Sequence, residues 1–147
     1  MSPYAIPAIM AATIVGGSSY ALARGGAPER WGTAFFLMNV VGSNLAPLYS
    51  GRRFLTTETG LMAVDFTFML VMIAMTLKAQ RYWPMWIAAL QLDAVLTHLM
   101  MFAKTTPPFS YGLALYVWGL PIPLLLAAGA WRHRGRMKKW GDDPAWN

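Results

Sequence analysis

The sequence predicts an all-α integral membrane protein, a bundle of five transmembrane helices with four as the alternative. Of its 147 residues, 56% are hydrophobic and 12% are charged, about half the charged fraction of an average soluble domain. Several apolar runs approach the roughly 20 residues that a helix needs to cross a bilayer. These observations exclude a water-soluble core. They predict one membrane domain over residues 1–131 and a basic tail over residues 132–147.

The first predicted helix covers residues 7–23, with Pro7 in the first turn, where its missing N–H is not needed. Residues 21–23 read Ala-Leu-Ala, so a cleaved signal peptide is the alternative interpretation. The lack of positive charge before the apolar run favours a retained helix. Gly16 and Gly17 are expected to let another helix approach closely, or else they mark a weak helix end.

The second predicted helix, residues 31–49, is the least apolar and contains Asn39, Gly42 and Asn44. Because an amide in hydrocarbon costs free energy unless it is hydrogen-bonded, the asparagines are expected to face the bundle. Gly42 is a second expected packing contact. Whether this segment fully spans decides between five helices and four.

The third and fourth predicted helices, residues 59–80 and 85–104, form an antiparallel hairpin that contains three ionisable residues in apolar surroundings, Asp65, Asp93 and His98. Asp65 and His98 are at almost equal distances from the turn at Arg81, so they are expected to pair about 9 Å from the outer end at ~1.5 Å per residue. Glu58 lies seven residues before Asp65, on the same helical face, and would give access from outside.

Asp93 is predicted to be a separate group near the membrane midplane, grouped by depth with Asn39, Asn44 and Gln91. Gln91 shares a face of the fourth helix with His98 at the i, i+7 spacing, whereas Asp93 is on another face. An ionisable residue inside a membrane is by default a candidate functional site. The functional interpretation is therefore a proton or cation pathway, or a small-ligand site. The structural interpretation is that these side chains hold helices or subunits together through hydrogen bonds.

The fifth predicted helix, residues 109–130, should bend at the Gly119–Pro123 segment, because Pro121 and Pro123 interrupt the hydrogen-bond ladder. For five spans, nine Lys and Arg residues lie on the side of the C-terminus and three on the other, which predicts a cytoplasmic C-terminus and an outside N-terminus. The net charge of +6 therefore indicates topology and lipid contact, and no nucleic acid partner is expected. The expected lipid or partner contacts are Arg132, Arg134, Arg136, Lys138 and Lys139.

The chain contains no cysteine, which excludes disulfides, iron–sulfur clusters and thiolate metal sites. No motif indicates a metal site or a catalytic centre, so we expect a non-enzymatic protein that requires no cofactor. A pigment or haem held by His98 is an alternative, because a single histidine can ligate either group.

Several short motifs of the second half are similar to those of small multi-pass membrane proteins of alphaproteobacterial type. The matching residues are Trp83-Pro84-x-Trp86, Gln91, Thr97-His98 and Trp118-Gly119-Leu120-Pro121. The resemblance implies a bacterial inner membrane and supplies no activity. Asp93 departs from the pattern, which has an apolar residue there.

The leading hypothesis is an accessory or structural subunit of a larger bacterial inner-membrane complex, with a bioenergetic complex as the suggested host. Its expected partners are membrane lipids and either other membrane subunits or further copies of itself. The alternatives are a small oligomeric proton or cation channel or transporter that uses the intramembrane Asp and His side chains, and a pigment or haem carrier.

Overall fold

A computed structural model of the chain describes residues 5–50, 59–102 and 107–146, without the side chains of residues 47–50, 102 and 108. These residues form helices connected by short links, with a single isolated bridge between Ala79 and Trp146. Because Leu120 alone separates the last two helical segments, they form one bent helix, and the described residues make a five-helix bundle. The predicted all-α fold is confirmed. The helices are α1 Ala5–Arg24, α2 Ala27–Ser50, α3 Thr59–Lys78, α4 Trp83–Phe102, α5 Pro108–Gly119 and α6 Pro121–Trp140.

Among the described residues, four helices are long and apolar enough to cross a membrane: α1, α3, α4 and the combined α5–α6 unit, over the 32 residues Phe109–Trp140. Helix α2 has 24 residues, but Glu29 and Arg30 near its start and Asn39 and Asn44 in its interior lower its hydropathy. It packs against α3 as the fifth member of the bundle. The described residues therefore form five helices, and four of them are long and apolar enough to cross a membrane.

The bend between α5 and α6 lies where the sequence predicts it. Pro121 begins α6, and Leu120 keeps a helical backbone with φ −58° and ψ −41°. Its N–H still bonds to the Tyr116 carbonyl at 3.0 Å. Because a proline ring has no N–H and clashes with the preceding turn, Pro121 and Pro123 interrupt the ladder without ending the helix.

The contacts between helices determine which residues lie in the interior of the bundle. The hairpin of α3 and α4 is the most extensive contact, α1 packs on α6, α2 packs on α3, and α5 packs on α4. The apolar core fills the half of the bundle nearest the α3–α4 turn. Its members include Phe36, Phe68, Met72, Trp83, Ile87, Ile122 and Leu126.

The glycines predicted to permit close packing divide into two kinds. A Cβ on Gly17 would lie 2.5 Å from the Pro123 carbonyl oxygen, and a Cβ on Gly42 would lie 3.2 Å from a Val64 methyl carbon. Gly17 and Gly42 therefore face α6 and α3, respectively. Gly16 is exposed and a Cβ there would meet nothing within 4 Å, so it packs against no other helix of the described residues.

Trp83 is held in a slot between α2 and α6. Cβ atoms on Gly32 and on Gly129 would both collide with its indole ring, which is 7% exposed. Its Nε1 donates to Glu29 Oε1 at 3.1 Å. Tyr82 and Trp86, by contrast, are 74% and 58% exposed, as aromatic residues at a membrane surface are.

Candidate functional site

The structure brings Asp65 and His98 together, at the equal depth that the hairpin count predicts. His98 Nε2 is 3.0 Å from Asp65 Oδ2, and His98 Nδ1 is 2.6 Å from the hydroxyl of Tyr111 on α5. His98 is fully buried, and Asp65 is 8% exposed. The hairpin and α5 thus build a continuous carboxyl–imidazole–phenol chain inside the bundle.

Two amides complete the surroundings of Asp65. Asn39 Nδ2 on α2 donates to Asp65 Oδ1 at 3.0 Å. Gln91 Nε2 on α4 donates to the same oxygen at 3.2 Å and to the Asp65 carbonyl at 3.3 Å. The prediction that Asn39 and Gln91 belong with Asp93 is therefore wrong. Their depth was similar, but the rotation of α2 and α4 about their axes aims both amides at α3.

When Asp65 is ionised, its carboxylate, the imidazole of His98 and the hydroxyl of Tyr111 all have hydrogen-bond partners within the cluster. Its two oxygens accept from three donors, the two amide groups and the imidazole Nε2–H. The neutral imidazole then accepts the Tyr111 hydroxyl proton at Nδ1, since only one ring nitrogen carries hydrogen in that form. The arrangement can therefore hold one negative charge in a buried position, and a proton can be exchanged along the chain between carboxyl, imidazole and phenol.

A cavity of about 290 Å³ opens beside Asp65. Helices α1, α2 and α5 supply most of its wall, and α3, α4 and α6 supply the rest. This volume is at the small end of the range for small-molecule sites, about 300 to 1,000 Å³. Its polar lining residues are Asn39, Ser43, Asn44, Asp65, Gln91 and Tyr116.

Asp93 lies on a different face of α4. It is half-buried, and its backbone carbonyl accepts a hydrogen bond from the Thr97 hydroxyl at 2.8 Å in addition to the bonds of the helix. Among the described residues, its carboxyl has no hydrogen-bond or ion-pair partner. Trp86, Ala89 and Leu96 share this face and are exposed. We call these three residues and Asp93 the α4 outer face.

The remaining members of the two predicted groups are not brought together. Asn44 is exposed and donates to the Val40 carbonyl of its own helix at 2.8 Å, so it does not pair with Asp93 either. It lines the cavity near Asp65 instead. Glu58, the predicted outer access residue, lies outside the described residues.

A second buried polar cluster occupies the opposite end of the bundle, at the α3–α4 turn. Glu29 is fully buried, accepts from Arg81 Nε at 3.0 Å, and caps the Gly26 N–H through Oε2 at 3.0 Å. Arg81 also reaches Asp143 at 2.7 Å. Asp143 in turn bonds to His133 and Arg136, at 2.5 and 2.6 Å. This end clamp ties α2, the hairpin turn, α6 and the C-terminal segment together.

The pKa of the Asp143 carboxyl is determined by its partners in the end clamp. Burial alone would raise the pKa of the Asp143 carboxyl. The hydrogen bonds from Arg136 and His133 and the positive charges of Arg81 and Arg136 outweigh it, so the pKa is lowered below its ordinary 3.8. Among the basic residues predicted to touch lipid or a partner, Arg136 is thus turned inward. Arg132, Lys138 and Lys139 are exposed and Arg134 is half-buried.

The two polar clusters are separated by the apolar core. Asp65 is 13 residues before Lys78 at the other end of α3, or about 20 Å at ~1.5 Å per residue. Phe36, Phe68, Met72 and Ile122 fill this interval and are each at most 3% exposed. The cavity beside Asp65 therefore does not continue as a polar path to the end clamp.

The alternative of a pigment or haem at His98 conflicts with this geometry. Both ring nitrogens are already within hydrogen-bond distance of a protein group, so axial ligation would require breaking one contact. The buried ring also offers no open face, since its side chain is fully buried. Within the described segments there is no group of three or more metal-ligating His, Cys, Asp and Glu residues.

Sequence reasoning missed Tyr111 and the end clamp. Tyr111 follows a proline-containing link, and no motif in the sequence distinguishes it. Glu29 and Asp143 stand in polar segments where charge is normal, so neither stood out. One signal was available. Glu29, in the link before the second predicted helix, and Arg81, in the turn of the predicted hairpin, lie on the same side of the membrane in the five-helix topology.

No family model, curated protein or solved structure matches the chain.

Proposed function

We propose that the chain is a non-enzymatic accessory subunit of a larger complex in the bacterial inner membrane, joined to its partner through the α4 outer face. The observation that carries this proposal is the Asp93 carboxyl. It lies 10 residues from the first residue of α4, about 15 Å along the helix at ~1.5 Å per residue, which is half the ~30 Å hydrocarbon thickness of a bilayer.

A carboxyl at this depth is costly without a partner. Insertion measurements assign about 3 kcal/mol to an Asp at the centre of a spanning helix. The buried carboxyl of Asp65 avoids this cost through three donors, whereas Asp93 has none among the described residues. A helix from another protein that brings a donor to Asp93 would offset the cost and cover the exposed Trp86, Ala89 and Leu96.

Charge complementarity favours a different protein as the partner over a second copy of this chain. In the described segments, every Lys and Arg lies near a helix end, in a link, as Arg81 does, or in the polar last nine residues of α6. His98 is buried and bonded on both sides. A second copy related by a twofold axis at this face would oppose Asp93 with Asp93, so we propose that the partner helix presents an Arg or Lys side chain at mid-membrane depth.

The geometry gives less support to a channel or transporter within one chain. A proton arriving at Asp65 would meet the apolar core, where the buried side chains include Phe68 and Met72. Transport would therefore need a path between subunits or a rearrangement of the core.

The test places a photo-crosslinking amino acid at Leu96 on the α4 outer face and, as a control, at Leu70 on α3, which is similarly exposed at 49%. Cells of the native host are irradiated, and crosslinked products are identified by mass spectrometry. Asp93→Asn is compared with the matched variant Asp142→Asn, which makes the same change outside the membrane.

We expect a crosslink from position 96 to one defined transmembrane segment with an Arg or Lys near its centre. Asp93→Asn should reduce it severalfold, while Asp142→Asn leaves it unchanged. A charge exchange, Asp93→Arg with the partner's basic residue changed to Asp, should restore it. A crosslink only to another copy of this chain, or a monodisperse monomer in mild detergent with no crosslink, would overturn the proposal.

A further inference from the structure

We infer that the cavity beside Asp65 is a binding site for a small organic ammonium ion with an apolar body. This inference is independent of the α4 outer face, because the cavity lies on the opposite side of α4, where Gln91 and Ala94 face α3 and α2. It rests on three features of the cavity: amide oxygens that can accept hydrogen bonds, the carboxylate of Asp65, and the apolar side chains that line the rest of the wall.

Each of the three amides around the cavity gives an N–H group to a protein oxygen. Asn39 and Gln91 donate to Asp65 Oδ1, and Asn44 donates to the Val40 carbonyl. In an amide the other terminal atom is an oxygen, which only accepts hydrogen bonds. The orientation of Asn39 and Gln91 is fixed physically, because an amide oxygen turned toward the carboxylate would be repelled.

The Gln91 oxygen is the clearest sign of a ligand. Gln91 is 3% exposed, it lines the cavity, and no hydrogen bond is made to its Oε1 by any described residue. The oxygen faces the open space of the cavity, where a donor on a ligand can reach it. A ligand that supplies N–H donors would satisfy this oxygen and those of Asn39 and Asn44 together.

Charge selects a cation among such donors. Asp65 contributes one negative charge when ionised, and no Lys or Arg lines the cavity. The rings of Phe36 and Tyr116 are also in the wall, and aromatic faces attract cations. A primary ammonium group combines a positive charge with three N–H donors, as the oxygen-lined wall requires.

The size and the apolar side of the cavity indicate that the cation carries an organic body. The cavity is also lined by the apolar side chains of Met10, Ile14, Leu115 and Ile122. A volume of about 290 Å³ is many times that of one water site, about 30 Å³. A bare metal ion would leave these apolar walls uncovered, whereas an amine with an aromatic or short aliphatic body would fill them.

The experiment uses the purified full chain in detergent micelles, with benzylammonium as the probe and benzyl alcohol as a neutral probe of the same shape. Binding is measured by isothermal titration calorimetry. Asp65→Asn removes the charge. Leu115→Trp fills the cavity without altering any group of the Asp65 cluster, and Leu113→Trp, on the exposed side of the same helix, is its matched control. Far-UV circular dichroism and gel filtration verify that each variant is folded.

We expect saturable binding of benzylammonium, at least about tenfold tighter than benzyl alcohol, because charge-assisted hydrogen bonds are roughly twice as strong as neutral ones. Leu115→Trp and Asp65→Asn should each weaken it by about tenfold or more, and Leu113→Trp should leave it unchanged. Equal binding of the two probes would overturn the inference. So would retention of binding in folded Leu115→Trp, or displacement of the probe by millimolar sodium, which would assign the site to an inorganic cation.

Discussion

Gly16 and Gly17 are neighbours in α1, yet the structure predicts that replacing each by alanine has opposite effects on stability. A Cβ on Gly16 meets nothing within 4 Å, whereas a Cβ on Gly17 would lie 2.5 Å from the Pro123 carbonyl oxygen and 2.9 Å from its carbonyl carbon. The two variants make the same chemical change in the same helix. Their difference therefore isolates the packing of α1 on α6.

The magnitude follows from these distances. A carbon–oxygen contact normally needs about 3.3 Å, so α1 would have to retreat by about 0.8 Å from α6. Overpacking of this kind costs typically about 1 to 3 kcal/mol, while replacing a mid-helix glycine by alanine gains about 0.5 to 1 kcal/mol. Gly16→Ala should raise the free energy of unfolding by about that gain, and Gly17→Ala should lower it by up to about 2.5 kcal/mol after the same gain is included.

The assay is reversible unfolding in mixed micelles of dodecylmaltoside and sodium dodecyl sulfate, followed by far-UV circular dichroism and tryptophan fluorescence. Both variants are compared with the unmodified chain at the same micelle composition. If Gly17→Ala proves as stable as Gly16→Ala, the close approach of α1 to Pro123 is not a feature of the folded protein and the packing argument is refuted.

Three further predictions concern the polar clusters. Glu29→Gln should lower the free energy of unfolding by about 3 kcal/mol, because it removes the charge paired with Arg81 and turns an amide N–H toward the Gly26 N–H; a loss below about 0.5 kcal/mol would contradict the buried clamp. The clamp should also respond to acid: since the folded-state pKa of Asp143 lies below its ordinary 3.8, its stabilisation is complete above that value and is lost as pH falls through the folded pKa. The unfolding midpoint should show this acid-side fall and Asp143→Asn should remove it, so an identical pH profile for the two would argue against the charge network. Tyr111→Phe should cost about 1 to 3 kcal/mol by leaving buried His98 Nδ1 without its partner, and unchanged stability in the same mixed-micelle titration would show that the contact is not formed.

The α3–α4 hairpin shows which features can be predicted from the sequence alone. Each arm is apolar over about 20 residues and the link is short, so antiparallel packing follows, and with it the equal depth of Asp65 and His98. Depth along a helix is fixed by the constant rise per residue. The same reasoning could not place Asp93, Asn39 and Gln91, because contact also depends on the rotation of each helix about its axis.

Rotation is set by packing between elements that are distant in the sequence. Gly17 faces α6 because Pro123 fits against it, and Trp83 turns inward because Gly32 and Gly129 leave a slot for its ring. Neither partner is within 40 residues of its counterpart along the chain. An apolar helix of nearly uniform hydropathy offers little sign of which side faces lipid and which faces protein, since both are apolar.

The sequence by itself determined the membrane class, the all-helical fold, the bend before Pro121 and the depth of the Asp65–His98 pair, because each follows from hydropathy, chain length or local backbone chemistry. Only the tertiary structure decided that Tyr111, Asn39 and Gln91 complete the Asp65 cluster, that Asp93 stands apart on the α4 outer face, and that Glu29, Arg81 and Asp143 close the other end. These arrangements depend on which helix faces meet, and that is fixed by side-chain packing between distant parts of the chain.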